Sequence, residues 1–184
     1  MLSSFFVRSE YITTYIGMGS NLGDRAGNLL AAVRCLIEAD FTVNCLSNIY
    51  ETEPLGLESD VDFLNMVAAV HVRDVRPTQM MARLLRIEYI LGRRDKNEKK
   101  PRTIDLDLLF FGSETMNTPF LTLPHPRLHV RKFVLAPLAE IAPRLYHPVL
   151  NKNMEELLAE TADLSYVSRW NPNGAHGESL VLNS

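Results

Sequence analysis

Two aspartates in the middle of the chain have a spacing that suits metal-assisted chemistry. They lie in the apolar segment 104–111, which reads Ile-Asp-Leu-Asp-Leu-Leu-Phe-Phe. On a β-strand, Asp105 and Asp107 would share one face, opposite Leu106 and Leu108. Two like charges side by side repel unless a cation lies between them, and carboxylate oxygens suit Mg²⁺. Alternatively, both acids face solvent on an open sheet, and the motif alone does not decide between the two.

A basic segment just before these acids favours a site that binds phosphate. Residues 93–102 carry six Lys or Arg against two acids, a local charge of +4 on a chain whose total is −3. This distribution argues against general nucleic-acid binding and for a compact polyanion such as a nucleoside triphosphate. A solvated charge run is the alternative. The neighbouring acids favour phosphoryl transfer, in which metal ions bridge phosphate oxygens and guanidiniums neutralise developing charge.

The glycines near the start of the chain do not form a known phosphate-binding motif. Gly17, Gly19 and Gly23 are spaced G-x-G-x-x-x-G, so Leu22 stands where a dinucleotide motif has its third glycine. The GK[ST] ending of a P-loop is also missing. We interpret this segment as a tight turn between a first strand and a helix.

Other residues are ambiguous when each is considered alone. Glu88, one turn before a predicted helix end, could orient a nucleotide or pair with an arginine. His125 lies between two prolines, where a lone histidine is more often structural than catalytic. Phe63 and Phe133 are more typical of a core than of ligand stacking. Asn65 lies in an apolar segment and needs hydrogen-bond partners if buried, which a heteroaromatic ring could supply.

Hydrophobic periodicity predicts the elements that position these residues. Strands are predicted at 13–18, 41–50, 63–72 and 103–111, and helices at 24–38, 77–91, 131–141 and 154–161. The first six elements follow the order strand, helix, strand, strand, helix, strand. This order predicts an α+β, ferredoxin-like fold, a mainly antiparallel sheet with helices packed on it.

Composition bounds the class of protein. With 184 residues, 46% of them hydrophobic and 22% charged, we expect one globular domain over 1–184, with a core at about 13–165 and loose termini at 1–10 and 171–184. No apolar run is long enough for a bilayer, so we expect no membrane partner. Cys35 and Cys45 form no metal or redox spacing and are expected to be free thiols in a reducing cytoplasm. We also expect a monomer.

The chain resembles the 6-hydroxymethyl-7,8-dihydropterin pyrophosphokinases over roughly residues 13–150. The resemblance rests on a series of segments in order: YIG at 15–17, GSNLG at 19–23, YETEPLG at 50–56, FLN at 63–65, RIE at 86–88, LGR at 91–93, PRTIDLD at 101–107, LPHP at 123–126 and RKFVLAPL at 131–138. It implies transfer of a diphosphate from ATP to the hydroxymethyl group of the pterin, releasing AMP, in folate biosynthesis.

The resemblance also implies roles for individual residues. Asp105 and Asp107 would hold two Mg²⁺ ions. Arg93 and Arg102 would be catalytic, and the ATP contacts would be Glu88, Arg93, Arg102, Thr122, His125 and Arg131. The pterin would stack between Phe63 and Phe133, bond to Asn65 and meet backbone groups of Thr52 and Leu55.

The chain departs from the family pattern in three places. Glu53 stands where the family often has Pro, and Phe63 stands where it often has Tyr. Lys99 and Lys100 replace an Arg-Trp-Gly segment in a loop one residue shorter, which leaves the matching of Arg94 and both lysines open. We expect this loop to close over bound triphosphate. A metal-dependent phosphohydrolase and a binding protein without turnover are the rival functions.

Overall fold

A computed structural model gives the fold of the chain and describes residues 11–54, 61–93 and 100–173. Three sequence expectations lie outside the described residues. These are the role of Leu55, the closing movement of the basic loop at 94–99, and the loose character of the termini at 1–10 and 174–184.

The described chain contains helices on both faces of one larger sheet and two short hairpins. The helices are α1 (Arg25–Glu38), α2 (Pro77–Ile90), α3 (Lys132–Ile141) and α4 (Met154–Glu160), with a short 3₁₀ turn at Leu128–Val130. The strands are β1 (Ile12–Ser20), β2 (Thr42–Leu46), β3 (Tyr50–Thr52), β4 (Phe63–Val72), β5 (Asp105–Phe111), β6 (Met116–Asn117), β7 (Thr122–Leu123), β8 (Tyr146–His147), β9 (Lys152–Asn153) and β10 (Val167–Arg169).

The larger sheet has the ferredoxin-like order that the sequence predicted. Its strands run β10-β3-β4-β1-β5, β2 also pairs with β4, and every pairing is antiparallel. The second predicted strand, 41–50, is wrong as one element because it is divided into β2 and β3. Ser47 lies at the break, where its hydroxyl accepts a hydrogen bond from Val67 N–H at 2.9 Å and its own N–H donates to Val67 O at 2.9 Å. The side chain thus replaces a backbone partner and lets the strand turn without losing the pairing.

Each face of the sheet has its own apolar core. On the face that we call the closed face, α1 and α2 bury leucines of their inner stripes against alternate residues of β1, β4 and β5, such as Ile16, Leu64 and Leu106. On the other face, which we call the site face, α3 and α4 pack over Val67, Leu109 and Phe110. These contacts cover one end of the strands. The other end of the site face carries the polar residues described below.

The side chains of β5 alternate between the two faces of the sheet, and this alternation is interrupted once, at Leu109. Leu109 has no partner on β1, because Ile16 pairs with Leu108 and Tyr15 with Phe110. This extra residue is a β-bulge. As a result, Leu109 and Phe110 both pack on the site face, and Phe111 joins the core of the closed face.

Local signals set the ends of the helices as predicted. Asp24 caps α1 by accepting a hydrogen bond from Gly27 N–H at 2.9 Å. Gly92, just past α2, has φ +96°, a conformation that side chains disfavour and that lets Arg93 N–H bond back to Glu88 O at 2.9 Å. In the described parts of the chain, no helix is long and apolar enough to cross a membrane.

Candidate active site

Strand β5 presents the two aspartates as the sequence predicted. Asp105 and Asp107 lie on the site face and are half-buried, whereas Leu106 and Leu108 are buried in the core of the closed face. Both acids lie beside the central strand β1. Gly19 is the cross-strand partner of Asp105, and Gly17 is the partner of Asp107.

Two arginines converge on Asp105. Arg93, which is 8% exposed, contacts one carboxylate oxygen of Asp105 and also donates to Glu88 Oε1 at 2.8 Å. Arg102 donates to the other oxygen of Asp105 at 3.0 Å. Two guanidiniums therefore meet at Asp105, and Arg93 also pairs with Glu88. A polyphosphate could take the place of the Asp105 carboxylate as their partner.

Glu88 is buried at the end of α2, where it is 3% exposed. Besides pairing with Arg93, it accepts a hydrogen bond from Leu106 N–H at 2.7 Å. The pairing with an arginine, one of the two roles that the sequence allowed, is therefore present. Glu88 fixes Arg93 and the start of β5 in one arrangement.

The loop after β7 brings a histidine to the second aspartate. His125 Nε2 lies 3.9 Å from Asp107 Oδ2, and His125 N–H donates to Leu109 O at 2.9 Å, which anchors the loop on β5. Thr122 on β7 lines the same cleft as His125, a space of about 390 Å³ that also touches His129 and His147. The structure therefore places His125 beside Asp107, and Thr122 shares the cleft of His125, whose lining includes neither aspartate.

Arg131 immediately precedes α3, and its guanidinium interacts electrostatically with both acids. Burial lowers the pKa of its guanidinium, the nearby Arg127 lowers it further, and the charges of Asp107 and Asp105 oppose that shift. Its guanidinium also lies 5.4 Å from the ring centre of Phe133. Arg131 therefore connects the acids to the aromatic side chain at the start of α3.

The residues predicted to hold a pterin lie on the neighbouring strands. Asn65 on β4 is 7% exposed, and its side-chain N–H donates to Thr52 Oγ1 at 2.7 Å. Phe63 pairs with Thr52 across β3 and β4, and the Arg102 guanidinium lies 5.5 Å from its ring centre. Phe133, in the first turn of α3, packs partly buried against the site-face core.

Sequence reasoning missed the two glycines of β1. Gly17 lies inside β1, as the predicted strand 13–18 required, but the predicted tight turn is wrong for Gly19, which also lies inside β1. Of the three glycines, only Gly23, with φ +66°, adopts a turn conformation. The spacing of two between Gly17 and Gly19 matches that of the aspartates, so the period-two pattern that placed the acids also places these glycines on the site face. A β-carbon at Gly19 would lie 2.8 Å from Asn65 Oδ1, whereas one at Gly17 would meet only Leu109, at 3.4–3.6 Å, so the close approach that requires glycine is at Gly19.

The described residues offer the carboxylates of Asp105 and Asp107 as the candidate donor set for a metal ion. Among residues 11–54, 61–93 and 100–173, no group of three or more His, Cys, Asp or Glu side chains is arranged to hold a metal ion. Within the described part of the chain, a donor set of two carboxylates fits Mg²⁺, which retains waters and takes substrate phosphates as ligands, better than it fits zinc.

Comparison with known proteins assigns the chain to a family. Residues 15–143 match the family described as 7,8-dihydro-6-hydroxymethylpterin-pyrophosphokinase (HPPK). The chain belongs to this family. Among similar HPPK proteins, the 2-amino-4-hydroxy-6-hydroxymethyldihydropteridine pyrophosphokinase of Bacillus subtilis is 45% identical over 69% of this chain and 76% of its own length. The protein of the same name from Aquifex aeolicus is 34% identical over 80% of this chain and 91% of its own length.

Solved structures support the HPPK fold. The Plasmodium falciparum HPPK-DHPS protein superposes on 82% of this chain with a TM-score of 0.68 at 15% sequence identity. The matched region is 44% of that longer protein, so the chain spans less than half of it. At this identity the likeness shows the fold alone, and it agrees with the antiparallel sheet described above.

Proposed function

We propose that this chain transfers the terminal diphosphate of ATP to the hydroxymethyl group of 6-hydroxymethyl-7,8-dihydropterin and releases AMP, a step of folate synthesis. We further propose that the reaction depends on Mg²⁺ and takes place on the site face between β4 and β5. Membership of the HPPK family supports the reaction, and the geometry of the described residues supports its location.

One observation carries the location. Gly19 pairs with Asn65 on one side and with Asp105 on the other. A residue suited to bind a flat heteroaromatic ring and a residue suited to bind a metal–phosphate group therefore lie on either side of one glycine. A pterin that bonds to Asn65 through its ring would extend its alcohol across β1 toward the acids.

The carboxylates of Asp105 and Asp107 would hold the metal. When bound there, Mg²⁺ would polarise the phosphoryl oxygens and neutralise their charge. The described site offers a further buried donor, because Arg102 Nε–H has no hydrogen-bond partner among the described residues. We therefore assign Arg102 and Arg93 to the polyphosphate, with Thr122, His125 and Arg131 as further ATP contacts.

Catalysis by these residues would consist mainly of positioning and charge neutralisation. Phe63 and Phe133 would hold the pterin ring, and Asn65 and Thr52 would fix its orientation, so that the alcohol oxygen attacks the β-phosphorus in line. Preorganised guanidiniums would stabilise the charge that moves toward the leaving AMP. We name no general base.

One assay separates this function from its rivals. The purified chain is incubated with ATP, Mg²⁺ and the pterin alcohol, and the nucleotide products are resolved. AMP formed only in the presence of pterin supports the proposal. AMP or ADP without pterin would indicate a phosphohydrolase, ADP with pterin a simple kinase, and no product a binding protein.

The dependence on Mg²⁺ has its own test. Removal of divalent ions with EDTA should abolish AMP formation, and added Mg²⁺ should restore it. Full activity in EDTA would contradict the assignment of Asp105 and Asp107.

We also propose that the chain is a monomer and works in the cytoplasm. Cys35 and Cys45 are both free thiols, as expected in a reducing compartment. Sedimentation velocity at several concentrations should give the mass of one chain throughout, and a mass that rises with concentration would contradict the monomer.

A further inference from the structure

We propose that Arg25 is a positioning residue for the pterin, and that it acts from the closed face of the sheet by clamping both ends of the connection between β3 and β4. This inference rests on the proposed function, because it assumes that the pterin binds at Thr52 and Phe63. These two residues form the last register pair of β3 and β4. The guanidinium of Arg25 holds the residues that precede them, Glu51 and Asp62.

One guanidinium makes both contacts of this clamp. Arg25 Nη1 donates a hydrogen bond to Asp62 O at 2.7 Å, and Arg25 Nη2 lies 3.0 Å from Glu51 Oε1. The side chains of Arg25 and Glu51 are each 23% exposed, so solvent and salt screen this ion pair less than a fully exposed one. Arginine suits the position because its planar fork offers several donors in fixed directions, whereas a lysine ammonium is a point charge.

The clamp lies behind the proposed pterin site rather than in it. Arg25 is the first residue of α1, which packs on the closed face. Glu51 pairs with Leu64, whose side chain belongs to the core of that face. Because side chains alternate along a strand, the next pair, Thr52 with Phe63, lies on the site face. Arg25 therefore acts on the pterin residues through the backbones of β3 and β4.

The pair of Thr52 and Phe63 needs such a clamp because it ends a short ladder. β3 has 3 residues, and the connection that follows it, 53–62, is much longer than a tight hairpin turn. Closing a longer connection has a larger entropic cost, and the ends of an element open more readily than its centre. Arg25 belongs to a helix that is anchored in the core of the closed face. The clamp thus ties the last pair of the ladder to a fixed element.

 The charges around Arg25 add to the effect of its two contacts. Burial raises the pKa of the Asp62 carboxyl, the charges of Glu51 and Glu53 also raise it, and the charge of Arg25 opposes this shift. Asp62 therefore experiences two like charges from the other end of the connection and one opposite charge from α1. Without the guanidinium, the carboxylates at the two ends would repel each other and favour separation of the strands.

The test measures binding of the pterin alcohol and of nucleotide separately. Wild type and variants are titrated by calorimetry with the pterin alcohol in the presence of Mg²⁺ and a non-hydrolysable ATP analogue, and with that analogue alone. Arg25→Ala should weaken pterin binding by about tenfold, because the ligand must then order the last pair of the ladder as it binds. Its nucleotide affinity should stay within about twofold of wild type, since the polyphosphate contacts lie on other elements.

Two further variants separate the clamp from charge alone. Arg25→Lys keeps the charge but lacks the fork, so it should still weaken pterin binding by at least about threefold. Arg34→Ala removes an exposed ion pair with Glu38 from the same helix and should leave the pterin affinity unchanged. Arg25→Lys with the full affinity of wild type would show that a positive charge is sufficient and would overturn the clamp.

A double-mutant cycle tests whether the two ends act together. Glu51→Ala should also weaken pterin binding, and its addition to Arg25→Ala should cause less than about twofold further loss, because one shared contact is already gone. Losses that multiply in the double variant would show that the two residues act independently and would contradict the clamp.

The outcomes distinguish this inference from the proposed function. If wild type binds the pterin and Arg25→Ala binds it equally well, the clamp is disproved and the function stands. If wild type does not bind the pterin, both fail. Equal losses of pterin and nucleotide affinity in Arg25→Ala would indicate a general disturbance of the fold and would also overturn the positioning role. If Arg25→Ala does not fold, Arg25→Lys and Glu51→Ala decide by the same titrations.

Discussion

At the scale of single residues, the site depends on charges that are balanced before any ligand arrives. Asp105 contacts both Arg93 and Arg102, and Arg93 is also held by the buried Glu88. A metal ion that binds Asp105 would therefore loosen these pairs and make the guanidiniums available to phosphate. The exchange keeps each charge compensated, which matters because unpaired charges in a half-buried site are costly.

The first prediction concerns the acids. Asp105→Ala or Asp107→Ala should lower kcat by about 10³-fold or more, because loss of a metal ligand removes several kcal/mol of charge stabilisation in the transition state. Circular dichroism should show an unchanged fold, since neither side chain is in the core. Glu114→Ala removes an exposed carboxylate just beyond β5 and is the control. A folded variant of either aspartate with near-normal kcat would contradict the metal assignment.

The second prediction concerns Asn65. Asn65→Ala should weaken pterin binding by about 1–3 kcal/mol, because the ring loses its partner and the Thr52 hydroxyl loses the bond that it accepts. Nucleotide binding serves as the internal control and should be unchanged in calorimetry. The reverse pattern would place the pterin elsewhere.

At the scale of elements, carboxylates fix both ends of α3, the first end to the segment before β10 and the last to β3 and the residues before it. At its start, Asp163 accepts hydrogen bonds from Lys132 N–H at 2.7 Å and Ser165 N–H at 2.9 Å. Near its end, Glu140 accepts hydrogen bonds from Asn48 N–H and Tyr50 O–H, both at 3.0 Å. Because α3 carries Phe133 and β3 carries Thr52, these contacts set the width of the proposed pterin site.

The third prediction concerns the cap of α3. Burial raises the pKa of Asp163, but hydrogen bonds from Ser165 and from Lys132 N–H outweigh burial and leave it below the ordinary 3.8. The ionised form therefore stabilises the fold above about pH 3.8, and this contribution is lost as the pH falls through the depressed pKa. Asp163→Asn should lower the free energy of unfolding by about 1–2 kcal/mol at pH 7, with a smaller difference from wild type near pH 3.

Urea denaturation at the two pH values measures this effect. Asp40→Asn is the matched control, because Asp40 is exposed and its φ of +64° suits asparagine equally well. A difference between Asp163→Asn and wild type that did not shrink toward pH 3 would show that the charge of Asp163 is not what stabilises α3.

The fourth prediction compares two glutamates on helices. Glu140→Ala should lower the free energy of unfolding by about 1–3 kcal/mol, because it leaves polar partners on β3 and the preceding turn without an acceptor. Glu160→Ala removes an exposed ion pair with Lys152 and should change it by less than about 1 kcal/mol. Thermal unfolding of the two variants side by side tests this, and equal effects would contradict the role of Glu140 as an anchor.

At the scale of the whole molecule, the sheet is covered unequally. The closed face is sealed by α1 and α2, whereas the described residues cover the site face at the Phe110 end and leave it open at the Asp105 end. Ligands bound at the open end would complete the covering and connect β4, β5 and α3.

The fifth prediction follows from this unequal covering. A pterin alcohol and a non-hydrolysable ATP analogue with Mg²⁺, each at about 100 times its Kd, should each add about 2.7 kcal/mol to the free energy of unfolding. Differential scanning calorimetry should show the rise in Tm. In Asp107→Ala, the ATP analogue with Mg²⁺ should no longer raise the free energy of unfolding. A full increase in this variant would contradict the part of Asp107 in nucleotide binding.

The long helices and strands could be predicted from the sequence because each shows a clear hydrophobic periodicity over several turns or residues. The face assignment of Asp105 and Asp107 and the capping of α1 by Asp24 follow from local rules and are confirmed. The two-residue strands and β10 were not predicted, because such short segments are too short to show a regular alternation of polar and apolar side chains. The placement of Gly19 opposite both Asn65 and Asp105 also required the register, which depends on long-range pairing rather than on local sequence.

The extra residue in β5 changes how a protein engineer must count along this strand. A mutant library that varied every second position from Asp105 would reach Phe111, whose side chain lies in the core under α1 and α2. Past Leu109 the alternation is offset by one, so Phe110 is the position that continues the site face. Grafting the acids onto another sheet would therefore succeed only if the graft ended before the bulge or carried it along intact.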